Sequence, residues 1–278
     1  MPLMLRLVLA LAVLLTGCVS ASGPRLVDVG GRQLSTEVAG RGTPTVVFES
    51  GGGNDGSVWA EIAPAVRQRA GARTVVYDRA GLGASGPAPL PYRVEDDADA
   101  LRALLDRLDV GGDVILVAHS YGGYIASLVA EQDPRVAGLV LLDASLPGDL
   151  DDATVARALA TYRPQYDQLR EVAPELARRM IPMMEAYPAT VARLRDVSVP
   201  AALPVIDVVA EDPWGDTPAE QAATRRVHAA FVAASPAREG VVAKGSGHHI
   251  PRDRSDLVVD VVVEMVQRVL ERTAPRGR

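Results

Sequence analysis

Val114-Ile-Leu-Val-Ala-His-Ser-Tyr-Gly-Gly123 decides how the rest of the chain is read. An apolar, β-branched run ends in Ala118-His119-Ser120-Tyr121-Gly122, and a helical pattern follows as far as Gln132. This is the form of a nucleophile elbow, a tight strand-to-helix turn with a serine at its apex. Such a turn lifts the Ser120 hydroxyl out of the sheet. It also turns the first N–H groups of the following helix toward whatever the serine attacks. Small residues flank the apex because strand and helix approach closely there. Ala118 stands where the commoner G-x-S-x-G form has its first glycine. A serine in an ordinary strand-to-helix loop can carry the same five residues, so the surrounding chain has to decide.

Working outward, Arg25–Val29 and Gln33–Val38 alternate in polarity around Gly30-Gly31, which predicts a hairpin. Thr45–Phe48 reads as a short buried strand, and the glycine loop Gly51-Gly52-Gly53 follows it. A helix over Ser57–Arg69, interrupted by Pro64, leads to a strand at Arg73–Tyr77 and a loop from Asp78 to Gly86. Val94–Leu108 is amphipathic, with Leu101, Leu104, Leu105 and Leu108 on one face. After the elbow, Val136–Leu142 is another fully apolar strand. Continuous apolar strands alternating with helices predict a parallel sheet covered on both faces. Residues 147–200 break that rhythm with a helical, Arg-, Tyr-, Met- and Pro-rich stretch, expected to be an inserted cap. The rhythm resumes with a strand at Leu203–Val209, a helix at Pro218–Ala234, a strand at Gly240–Ala243 and a closing helix at Ser255–Arg272.

Composition narrows the class. The chain has 278 residues, 48% of them hydrophobic, enough for one large core. A net charge of −6 argues against nucleic acid as a partner. At the N-terminus, Arg6 precedes an apolar run from Leu7 to Leu15 that is too short for a permanent membrane span. Leu15-Thr16-Gly17-Cys18 then resembles the bacterial lipobox, in which a small residue precedes a cysteine that becomes lipidated. Cys18 is the chain's one cysteine, so it has no internal disulfide partner. Residues 1–17 are accordingly expected to be a lipoprotein signal peptide, and residues 18–24 a tether. The protein would be exported and held on the outer face of a bacterial membrane through Cys18.

From residue 25 onward the order of elements resembles the α/β-hydrolase fold family, a mostly parallel sheet flanked by helices on both faces. Glu49-Ser-Gly-Gly-Gly53, Tyr77-Asp-Arg-Ala-Gly-Leu-Gly-Ala-Ser85, Ala118-His-Ser-Tyr-Gly-Gly123 and Gly245-Ser-Gly-His248 carry the resemblance. It implies a triad running Ser, acid, His along the chain. Ser120 is the implied nucleophile. A serine hydroxyl needs an adjacent base, and the chain has four histidines. His119 lies inside the elbow, and His228 sits in a helical pattern beside Arg225 and Arg226, which suggests a surface position. His248 follows Gly247 as the family's base does; neighbouring His249 is the alternative and otherwise lines the pocket.

The acid is expected in the loop after the strand that follows the cap. Asp212 is the choice there, with Glu211 beside it. Asp143, at the end of the strand after the elbow strand, is a second location, although a carboxylate there can simply cap nearby N–H groups. The resemblance also implies an oxyanion hole formed by the N–H groups of Tyr121 and Gly52, donors worth about 3–4 kcal/mol each in the transition state. Asp78 and Arg79 are expected to hold their own loop by hydrogen bonds.

The expected activity is a serine hydrolase acting on an ester or related acyl bond of a small molecule, with no cofactor or metal. Peptidase, lactonase and cofactor-free haloperoxidase chemistry share the fold. Relatives that attack with an aspartate do not fit Ser120. A non-catalytic surface-anchored binding protein is the alternative of another class, because fold alone does not fix function.

Overall fold

The computed structural model describes residues 23–273 except Asp149 and Asp216. The signal peptide expected over residues 1–17, Cys18 and most of the tether lie outside these residues. The hairpin forms from β1 (Arg25–Asp28) and β2 (Gln33–Ala39). Gly30 and Gly31 both take positive φ at its tip, as a tight hairpin requires. β3 (Thr45–Glu49), α1 (Ile62–Ala70) and β4 (Arg73–Tyr77) come next. The helix expected from Ser57 starts later because Gly56–Trp59 winds as a separate 3-10 turn. Pro64 then falls in the first turn of α1, where its missing N–H costs nothing.

α2 (Val94–Arg107), β5 (Val114–His119), α3 (Gly122–Gln132) and β6 (Val136–Leu142) follow. Four helices stand between β6 and the next strand, in the stretch where a cap was expected: α4 (Asp152–Tyr162), α5 (Tyr166–Val172), α6 (Pro174–Glu185) and α7 (Tyr187–Leu194). β7 (Val205–Asp212), α8 (Pro218–Ala233), β8 (Arg238–Gly247), α9 (Ile250–Asp253) and α10 (Ser255–Thr273) complete the chain.

The strands form one eight-stranded sheet in the order β1-β2-β4-β3-β5-β6-β7-β8. β2 runs antiparallel to both its neighbours, and every pairing from β4 to β8 is parallel. Alternation along β5 divides its side chains between two cores. Ile115 and Val117 join Ile62, Val66, Val258, Val262 and Val266 of α1 and α10. Val114, Leu116 and Ala118 join Leu101, Leu104, Leu105, Ile125 and Leu128 of α2 and α3. Both faces of the strand are dry, which is why it reads as an unbroken apolar run. Each large aliphatic side chain buried this way contributes about 1.5–3 kcal/mol.

β7 and β8 both run further than the sequence suggests. They stay paired through a bulge, and Asp212 lies opposite Gly247. One buried group was expected elsewhere. His228 of α8 is buried, not on the surface, because its face of the helix turns to the sheet, where its Nδ1 meets the buried carboxylate of Asp207 on β7 at 2.8 Å.

Candidate active site

Ser120 sits at the turn between β5 and α3 with φ +52°, a left-handed conformation that costs a non-glycine residue about 1–3 kcal/mol. The turn holds this strain because its backbone is bonded on both sides. Ser120 N–H donates to Leu142 O, and Ser120 O accepts from the N–H groups of Gly123 and Ser145. Gly122 is required by close approach: a Cβ there would lie 2.8 Å from the Ser50 carbonyl oxygen and 3.0 Å from that of Glu49. The same contact brings the end of β3, and the glycine loop after it, against the N-terminus of α3.

β8 delivers His248 to this turn. The Ser120 hydroxyl donates to His248 Nε2 at 2.9 Å, and His248 Nδ1 lies 2.6 Å from Asp143 Oδ2. The structure therefore brings together Ser120, His248 and Asp143. Asp212, the expected acid, is not among them: it is exposed on the last residue of β7. The reason is strand length. Pairing with β8 carries β7 straight through Asp212, so no loop is left to fold back over the histidine. β6 instead stops at Leu142, and Asp143, with φ +41°, turns its carboxylate beneath the ring. Glu211, the neighbouring alternative, is also exposed and accepts from Gly245 N–H at 2.7 Å.

Asp143 is well held. Its Oδ1 accepts from Ala210 N–H at 3.1 Å and its Oδ2 from Trp214 N–H at 2.9 Å. Burial alone would raise its carboxyl. The His248 hydrogen bond and these two N–H groups outweigh burial and hold it below the ordinary carboxylate value. Asp143 thus caps backbone N–H groups, as expected of a loop carboxylate there, and orients the imidazole with the same oxygens.

His119 supports the same loop from behind. It is buried, and its Nε2 lies 2.9 Å from the carbonyl oxygen of His248. A carbonyl only accepts, so Nε2 carries the proton. Burial, then the charge of His248, pushes His119 down from 6.5 to about 3. The folded protein therefore resists protonating a group that the unfolded chain protonates below 6.5. Stability from this residue is present above that value and is lost as pH falls toward 3, at up to about 1.4 kcal/mol per pH unit. The urea midpoint should fall steeply from pH 6.5 to 4, and His119→Gln should flatten that fall. Equal slopes in the two proteins would contradict the assignment. His249 is exposed, its ring 5.4 Å from that of His248.

Across Ser120 lies the glycine loop. A Cβ on Gly52 would come within 3.6 Å of Tyr121 Cβ and 3.0 Å of the Met183 methyl, so Gly52 and Tyr121 are neighbours beneath α6. Gly53 faces Met180 and Leu176 of the same helix. The Tyr121 hydroxyl lies 2.9 Å from that of Tyr92. Among the described residues there is no group of His, Cys, Asp or Glu placed to hold a metal ion. Among the same residues no helix is long and apolar enough to cross a membrane.

Residues 46–261 match the model of the Alpha/beta hydrolase family. The chain belongs to that family. Over 103 residues it is 35% identical to YqjL, an uncharacterised protein of Bacillus subtilis, covering 37% of this chain and 40% of the relative. Over 131 residues it is 32% identical to a haloalkane dehalogenase of Mycolicibacterium smegmatis, covering 45% and 41%. The matched stretches thus span about two fifths of the length of these relatives. Its fold is similar to that of a thermophilic esterase from Thermogutta terrifontis, with a TM-score of 0.60 at 22% identity over 89% of this chain and 99% of that one. At that identity the likeness is one of fold.

The protein also contains a buried charge cluster beside its glycine loop. Glu49, at the end of β3, accepts from the Tyr77 hydroxyl and from the Arg79 guanidinium. Arg79 Nε lies 3.8 Å from Asp97 Oδ2, and the same carboxylate pairs with Arg179 of α6. Asp78 does hold its own loop, accepting from Ala84 N–H at 2.9 Å. Arg79, expected to do likewise, turns the other way. A signal was present in the sequence: Glu49 closes the apolar run Val46-Val-Phe48, and a carboxylate buried there needs a cation.

Proposed function

We propose that the protein is a serine hydrolase that cleaves an ester or related acyl bond of a small molecule through Ser120, His248 and Asp143. One observation carries this reading: a single imidazole contacts the Ser120 hydroxyl with one nitrogen and the Asp143 carboxylate with the other. Ser120 Oγ attacks the acyl carbon while its proton passes to His248 Nε2. Asp143 keeps the other proton on Nδ1 and stabilises the imidazolium. The developing oxyanion lies between the N–H groups of Tyr121 and Gly52, and α3 adds the positive end of its dipole. Collapse expels the alcohol, which takes the proton from His248, and leaves an acyl-Ser120. Water then gives a proton to Nε2 and its oxygen to the acyl carbon, and Ser120 leaves with the proton.

The experiment is direct. The purified protein should hydrolyse short p-nitrophenyl esters and should be labelled stoichiometrically by a fluorophosphonate. A folded sample that does neither would sink the reading, and would favour the non-catalytic binding protein. An acyl-chain-length series would then define the substrate class.

The working place of the enzyme is a further part of the proposal. Lipidation of Cys18 after removal of residues 1–17 would hold the domain on the outer face of a bacterial membrane. The apolar run Leu7–Leu15 directly before Leu15-Thr-Gly-Cys18 supports this. A clickable fatty acid fed to expressing cells should label the wild type. Label retained by Cys18→Ala would refute the anchor.

A further inference from the structure

We propose that Arg79 is the positioning residue of the oxyanion loop, gripping three successive carbonyls so that the Gly52 N–H points at the acyl oxygen. This rests on the hydrolase reading given above. Gly51-Gly52-Gly53 has no side chains with which to fix itself, and glycine backbone is conformationally permissive. One turn bond, from Asn54 N–H to Gly51 O at 3.3 Å, holds it locally, and Arg79 grips it from outside. Nη1 donates to Ser50 O, while Nη2 donates to Gly51 O at 2.5 Å and to Gly52 O at 3.1 Å.

A trans peptide holds its C=O and N–H on opposite sides of one plane. Fixing Gly51 O against the guanidinium therefore turns the Gly52 N–H away from Arg79. Tyr121 is a close neighbour of Gly52, its Cβ 3.6 Å from where a Gly52 Cβ would be. The two donors converge because one cation has fixed the peptide between them.

The guanidinium is itself held. Arg79 is only 3% exposed, and burial by itself would lower it. The charges of Glu49 and Asp97 outweigh burial and keep it protonated. Asp97 also accepts from the Tyr92 hydroxyl at 3.0 Å, and that hydroxyl meets the hydroxyl of Tyr121. One buried cluster thus touches the residues that bear both donors. Buried ion pairs are poor stabilisers compared with apolar packing, so stability alone does not account for this cluster. Placement of the glycine loop does. Lysine cannot substitute: an ammonium is a point charge and lacks the planar fork that reaches several carbonyls and Glu49 together.

The test compares wild type, Arg79→Lys and Glu49→Gln. Steady-state hydrolysis of p-nitrophenyl acetate is measured, together with inhibition by phenylboronic acid, which forms a tetrahedral adduct with an active serine. Arg79→Lys should lower kcat about 100-fold with KM changed less than about threefold, and should weaken the boronic acid by a similar factor. A merely structural role would move the melting temperature without that split. Undiminished kcat in folded Arg79→Lys, or reduced kcat with undiminished boronic acid affinity, overturns the proposal. If Arg79→Lys does not fold, Glu49→Gln decides: it should lower kcat and boronic acid affinity together, and wild-type values for both overturn the proposal. Wild-type protein that neither hydrolyses ester nor takes up a fluorophosphonate marks a failure of the hydrolase reading itself, and this proposal falls with it.

Discussion

Ser120→Ala is expected to lower kcat for ester hydrolysis by about five to six decades and to abolish fluorophosphonate labelling. The loss is that large because Ser120 supplies the hydroxyl that meets His248 Nε2. Attack would revert to water, unpositioned and with the oxyanion donors alone to assist it. A residual rate above the uncatalysed reaction should survive, since those donors and the bound geometry remain. The variant should fold with a melting temperature near that of the wild type. Ser120 is strained through its backbone, and alanine at φ +52° carries a similar strain. Turnover within tenfold of the wild type in a folded Ser120→Ala sample would reject Ser120 as nucleophile.

The second large effect separates two carboxylates. Asp143→Asn should cost about four decades in kcat, whereas Asp212→Asn should stay within about threefold of the wild type. The asymmetry follows from the proton on His248 Nδ1. An asparagine at 143 can present an amide N–H to that nitrogen. The imidazole proton then sits on Nε2, which can no longer accept from Ser120. Asp143 also accepts from Ala210 N–H and Trp214 N–H, and one amide oxygen cannot serve both as two carboxylate oxygens do. A stability loss of about 1–3 kcal/mol should accompany the kinetic one. Asp212 is exposed at the C-terminal end of β7 and carries neither burden. Kinetic measurement of the two variants side by side reads this out, and a large loss confined to Asp212→Asn would restore the acid to the loop after the cap.

These two carboxylates also show what was legible in the sequence. Apolar runs gave the strands of the central sheet because both faces are dry, and Ser120 and His248 lie within local patterns that set their own geometry. The acid does not. Its position depends on where two parallel strands stop pairing, a property of β7 against β8 and of β6 against β7 that no single segment encodes. Arg79 escaped for a related reason. Its motif predicts a loop, but its side chain answers to Glu49, 30 residues earlier. His228 was misplaced because flanking arginines suggested a surface, while a buried Asp207 on another element drew the ring inward.

The order of Ser120, Asp143 and His248 along the chain has a consequence for how this protein can diversify. Ser120 and Asp143 belong to adjacent strands, and the backbone bonds from Ser120 to Leu142 and Ser145 lock those strand ends together. Both are in place before the chain enters α4. The helices that cover the site hang between that locked pair and β7 like an exchangeable fitting. Lengthening, shortening or replacing them leaves Ser120 and Asp143 in register with each other. Selection, or a designer building chimaeras, can therefore rework what enters the site while the distance between the reacting groups stays fixed.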